Sequence, residues 1–208
     1  MKSLSNTNGF CVAWVALGLG FAAPPAIAQD NPLGLTKEDF ADEVQELAET
    51  ELSEWISDPV IIYAIKEQNK LLGSMSDAEI EAADQQWQRD FKASDKPMIW
   101  DLLDRQASII CRDRREATGG VITEIIIMDD QGLNVAISDP TSDYYQGDEA
   151  KYQETFLVGK GAVHVSELYF DESTQTVQTQ VSLPVTDPED GDVLIGAVTF
   201  GVNVQKLR

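Results

Sequence analysis

Near residue 120 the hydrophobic period of this chain changes, and that switch limits the fold more than any other feature. Ahead of it apolar residues recur three and four apart, at Phe40, Val44, Leu47, Leu52, Trp55 and Ile56, with Glu38, Asp42, Glu46 and Glu49 between them. This is the period of an amphipathic helix. The spacing predicts one long helix over 36–57, opened by Thr36 and Asp39 as a capping box. Asp58-Pro59 should break or kink its far end, because the residue before proline avoids the helical region. A helix over 60–72 follows, then one that starts at the capping box Ser76-Asp77-Ala78-Glu79 and carries Ile80, Ala83 and Trp87. A further helix runs from about Met98 through Trp100, Leu102 and Leu103 to Ile109, and Thr118-Gly119-Gly120 closes the helical half.

Beyond the switch the pattern is that of strands joined by turn residues. Segments 121–128 and 133–138 flank Asp129-Asp130-Gln131-Gly132 and read as a hairpin. A polar stretch over 139–161 contains a short helix around 149–157, and strands over 163–170, 176–185 and 193–204 complete the set. Their connections, Asp171-Glu172-Ser173-Thr174-Gln175 and Asp187-Pro188-Glu189-Asp190-Gly191-Asp192, are short enough to demand antiparallel pairing. In the fourth strand Val177, Thr179, Val181 and Leu183 alternate with Gln178, Gln180 and Ser182, which predicts one face on the core and the other on solvent or a pocket. The result is an α+β domain with long N-terminal helices packed on a five-stranded antiparallel sheet.

Charge excludes some functions. With Lys+Arg 15 against Asp+Glu 36, the formal net charge is -21, so an unaided nucleic-acid binder or anionic-lipid binder is not expected. The first residues read as an export signal: Lys2, an uncharged apolar run from Phe10 to Phe21, and Ala26-Ile27-Ala28 as a small-x-small cleavage pattern. The run closes at Pro24-Pro25, short of the length that spans a bilayer. The expected division is a signal peptide over 1–28, a linker over 29–35 and one domain over 36–208, periplasmic or secreted. Cys11 leaves with the signal, so Cys111 stands alone between Ile110 and Arg112 and reads as a small packed residue.

The order of elements, together with specific residues, resembles the single Cache family of extracellular PAS-like sensor domains. Asp129-Asp130-Gln131-Gly132-Leu133-Asn134-Val135-Ala136 is similar to the family's strand-turn-strand, and 141–152 resembles the loop and helix that cover its ligand pocket. Tyr169-Phe170-Asp171, Pro184-Val185 and Ile195-Gly196-Ala197 resemble its later strands. The resemblance implies a PAS-like sheet and a small molecule, commonly an organic acid, amino acid or amine, bound between sheet and covering loop. It also implies a separate membrane receptor or histidine kinase as partner, because the chain shows no second apolar span.

Read for chemistry, Lys151 can meet a ligand carboxylate or pair with Asp148, three residues away on a helix. Tyr144 and Tyr145 offer aromatic walls with hydroxyl tips, and Ser138, Thr141 and Gln146 add hydrogen-bonding groups. Trp100 and Arg105 can close the opposite side. If Asp143 and Asp148 face the pocket instead, an amine fits through charge pairing and cation–π contact. Catalysis finds little support: His164 is the one histidine, and no phosphate loop, dinucleotide fingerprint or CxxC is present. No cofactor or metal is expected, since the acids of 187–192 do not follow the calcium-loop spacing. The alternative is an interaction protein that dimerises through the long helix, with a vestigial pocket.

Overall fold

The computed structural model describes residues 34–171 and 175–207, so the expected signal segment and most of the linker lie outside the described residues. No helix among them is long and apolar enough to cross a membrane.

The expected long helix is present but irregular. A 3-10 turn at Lys37–Phe40 leads into α1 (Ala41–Leu47), a π-helical turn at Ala48–Leu52 and α2 (Ser53–Trp55). Thr36 and Asp39 form the expected capping box. The apolar stripe Phe40, Val44, Ala48 and Leu52 is buried, while Glu38, Asp42, Glu46, Glu49, Glu51 and Glu54 face outward. Asp58 caps the next helix, α3 (Pro59–Leu72), by accepting from the Val60 N–H at 2.8 Å, with proline at the first helical position, where a missing N–H costs nothing. The helix α4 (Asp77–Lys92) opens on the expected Ser76–Glu79 box.

The single helix expected through Ile109 is two: α5 (Pro97–Leu103) and α6 (Gln106–Ala117). The chain turns extended at Arg105, which becomes the residue before the first turn of α6. The strands are β1 (Ile122–Met128), β2 (Asn134–Ile137), β3 (His164–Val165), β4 (Tyr169–Asp171), β5 (Thr176–Asp187) and β6 (Val193–Asn203), with a short α7 (Ala150–Gln153) between β2 and β3. The strand expected over 163–170 is therefore interrupted, giving six strands where five were expected. Ser166 explains the break. Its N–H still donates to the Gln180 oxygen at 2.9 Å, but its Oγ accepts from the Gln180 N–H and its backbone oxygen accepts from Thr179 Oγ1, so side-chain groups take the place of the next ladder bonds to β5.

The sheet order is β2-β1-β6-β5-β3, antiparallel throughout, with β4 also on β5. Counted as one interrupted strand, β3 and β4 restore the order 2-1-5-4-3 of a PAS-like sheet. Both faces are covered. One carries the α1–α2 stripe, Ile61 and Ile65 of α3, and Val181, Val198 and Phe200 of the sheet. The other carries Trp87, Ile99, Leu102, Met128, Tyr144 and Tyr152. The alternation in β5 accordingly departs from expectation: Gln178 and Ser182 are as buried as Val177 and Val181. Their polar groups are satisfied internally, Ser182 by Thr199 at 2.9 Å and Gln178 by Thr123 at 2.7 Å.

Candidate ligand-binding site

Aromatic side chains pack between the sheet and the covering segment. Trp87 is fully buried, stacks on Tyr144 with centroids 5.3 Å apart and donates Nε1–H to the Thr141 oxygen at 2.8 Å. Tyr152 stacks on Phe156 at 5.1 Å and donates its hydroxyl to the Asp130 oxygen. The covering segment also seals the edge of β2: Asn134 N–H donates to Tyr144 O at 3.0 Å, and Gln146 N–H to Gly132 O at 2.8 Å. Gly132 sits at φ +82°, and a Cβ there would stand 2.6 Å from the Gly147 backbone. Only glycine allows both that conformation and that approach.

A cleft of about 650 Å³ lies beside this edge, between α3 and the start of α6. Val60, Ala64 and Val135 give it an apolar wall, Tyr63 and Leu71 stand at its rim, and Gln68, Arg105 and Tyr144 bring polar groups. A register shift in β1–β2 leaves Val135 without a partner on β1, so the bulge turns its side chain toward the cleft. Arg105 reaches the cleft because the α5–α6 break places it there. It donates Nη1–H to Gln68 Oε1 at 3.3 Å and Nη2–H to Asp101 Oδ2 at 2.8 Å, which uses two of the five donors a guanidinium carries.

The orientation of Gln68 is set from behind. Its Nε2 donates to Asp129 Oδ2 at 2.9 Å and to Asn134 O at 3.2 Å, so its Oε1 must face Arg105. Asp129 is buried, which pushes its carboxyl above the usual range, and the Gln68, Leu133 and Gln131 N–H groups oppose that shift. The Tyr144 hydroxyl is pushed up to about 12, chiefly by burial, and stays protonated as a donor at physiological pH. Asp84 Oδ1 accepts the N–H groups of both Tyr144 and Tyr145 and fixes that wall.

Of the nine residues expected at a site, the structure brings Arg105 and Tyr144 to this cleft. Ser138 is buried and donates to Asp139 while accepting from the Ile125 N–H. Thr141 bonds Asn134 and Asp143, and Gln146 bonds the Asp143 oxygen and Lys151. Tyr145 lies against Gly147, and Asp148 is exposed. Lys151 does not pair with Asp148: its Nζ lies 3.2 Å from Glu149 and 3.1 Å from Gln146 Oε1. Trp100 is 47% exposed and is not part of the cleft lining. Gln68 carried no sequence signal, since a glutamine on an amphipathic helix is unremarkable.

A second cavity, about 340 Å³, is polar and lined by Arg115, Thr123, Glu124, Asp139, Tyr169, Asp171 and Gln178. Its groups are committed to each other and to neighbours: Arg115 to Asp139, Thr123 to Gln178, and Glu124 to Gln180. His164 pairs with Glu154 at 2.7 Å, and no group of three or more His, Cys, Asp or Glu among the described residues could hold a metal.

No family model and no curated protein matches the sequence. Solved structures do. The ligand-binding domain of Campylobacter jejuni chemoreceptor Tlp3, solved with 4-methylisoleucine, is 13% identical over 74% of this chain and 64% of that one, with a TM-score of 0.37. The V. cholerae histidine kinase DctB sensor domain is 11% identical over 82% of this chain and 57% of that one, at 0.35. The E. coli DcuS sensor domain is 18% identical over 62% of this chain and 90% of that one, at 0.34. The chain spans less than two thirds of the Tlp3 and DctB domains. All three are sensory or ligand-binding domains.

Proposed function

We propose that this chain is an exported ligand-sensing module that binds a small carboxylate with an apolar body in the cleft between α3 and α6, and that a separate membrane receptor or kinase reads its state. The observation that carries this is Arg105, held at the cleft by Gln68 with donors still available, facing an apolar wall and the Tyr144 ring. A planar guanidinium suits a carboxylate, and Val60, Ala64 and Val135 suit an aliphatic chain. The protein's acidity does not forbid an anion, because charges beyond about 8 Å are largely screened at physiological salt. The Tlp3 domain solved with 4-methylisoleucine is consistent with such chemistry.

The test is a thermal-shift screen of residues 29–208, which contain both cores, against small carboxylates, amino acids and amines. A ligand at 100 times its dissociation constant adds about 2.7 kcal/mol of stability, several degrees for a domain of this size. A carboxylate response lost in Arg105→Gln supports the reading. An amine response lost in Glu67→Gln, a residue that also lines the cleft, would replace it.

A further inference from the structure

The expected dimer through the long helix meets an electrostatic obstacle. Its apolar stripe is spent inside the molecule, and what it shows outward is the acidic row Glu38, Asp42, Glu46, Glu49, Glu51 and Glu54. Two such rows facing each other repel. In a chain with 36 acids and 15 cations, a face on which two copies can meet has to be locally balanced.

The helix α3 provides that face. Tyr63 and Leu71 are 64% and 79% exposed and stand eight residues apart with Glu67 midway, one stripe along the helix. Lys70 is exposed beside Leu71, and the third charge, Lys66, is engaged with Asp187 at 2.5 Å. The free part of the face thus carries one acid and one cation with an aromatic and an aliphatic side chain. A two-fold axis near Glu67 lays Tyr63 of one copy on Leu71 of the other; the two Glu67 carboxylates then meet at the axis, and the Lys70 of each copy stands one helical turn away, so two acids are offset by two cations. We infer that this chain forms a two-fold dimer through α3, with Tyr63 and Leu71 as its apolar contacts. Because the same two residues are the rim of the cleft, the second copy roofs it.

The stripe is about 12 Å long at 1.5 Å per residue, less than a standard interface needs, so the dimer is weak and reversible. The interface does not depend on what the cleft binds, and its test uses no ligand. Light scattering or sedimentation of residues 29–208 is expected to show a mass rising from one chain toward two between about 10 μM and 1 mM. Leu71→Glu should raise the dimer dissociation constant at least tenfold with an unchanged melting temperature, because the side chain is exposed. Combining Glu67→Lys with Lys70→Glu, which swaps the two charges and keeps the balance, should preserve the dimer, while Lys70→Glu alone weakens it. A chain that stays at one-copy mass throughout, or a dimer indifferent to Leu71→Glu, overturns the inference. Failure of the ligand screen leaves it standing, and a chain that stays monomeric up to about 1 mM rejects it without touching the cleft reading.

Discussion

Replacing Gly132 by alanine tests how the covering segment is tied to the β1–β2 turn. The left-handed φ of +82° costs a residue with a Cβ about 1–2 kcal/mol. The new methyl would also stand 2.6 Å from Gly147 backbone atoms, which cannot rotate away, so 144–147 must withdraw. Withdrawal breaks Asn134 N–H to Tyr144 O and Gln146 N–H to Gly132 O, at about 1 kcal/mol each. The sum is about 3–4 kcal/mol, against a total stability of about 5–15. At about 2–4 °C per kcal/mol for this size, the melting temperature should fall by about 6–16 °C. Gly119→Ala is the control, because Gly119 has φ +61° but no atom within 4 Å of its would-be Cβ, and it should lose only the conformational part. Amide exchange should show the extra protection loss at 144–147 in Gly132→Ala alone. Equal losses in the two variants would refute the clash argument.

Val44→Glu should abolish folding in circular dichroism, since Val44 is buried in the first core and an unpaired charge there exceeds most of the available stability. Lys66→Met probes pH. The hydrogen bond from Lys66 lowers the Asp187 carboxyl, whose contribution is then present above the ordinary carboxylate range and lost as pH falls through it, while Asp187 raises Lys66, whose contribution is lost as pH rises past the ordinary lysine range. The stability gap between wild type and Lys66→Met, measured by denaturant melts, should therefore be widest near neutral pH and close on both sides. Burial pushes the Cys111 thiol up to about 12, so thiol reagents should label it only as fast as the domain opens.

The helices and strands were legible because their periods differ, and so were the caps at Thr36 and Ser76 and the break at Asp58-Pro59; that Asp58 also caps α3 was not. The α5–α6 break was not, because no proline or glycine marks Asp104-Arg105; it follows from how Leu102, Leu103, Ala107 and Cys111 divide between the two cores. The interruption after Val165 was hidden for a similar reason, since Ser166 acts through side-chain bonds to a strand thirteen residues on. At the site, Tyr144 and Arg105 were readable as residue types suited to a polar solute. Gln68 and Val135 were not, because one matters through the orientation Asp129 imposes and the other through a bulge, and both are products of the assembled sheet. Lys151 was read as meeting either a ligand carboxylate or Asp148, three residues back; folded, its Nζ lies against Gln146 and Glu149, because Asp148 stands outside the short α7 and points to solvent.

If Arg105 holds a carboxylate at the α3–α6 cleft, calorimetric titration of the best carboxylate from the screen should depend on it. Arg105 pairs with Asp101 at the surface, where such bridges contribute about 0–1 kcal/mol, so Arg105→Gln should melt close to wild type. Loss of a charged hydrogen bond of about 1.5–3 kcal/mol should weaken binding about 10- to 150-fold. Lys151→Met should bind as wild type does. Undiminished binding in Arg105→Gln, or binding lost in Lys151→Met instead, would contradict the account.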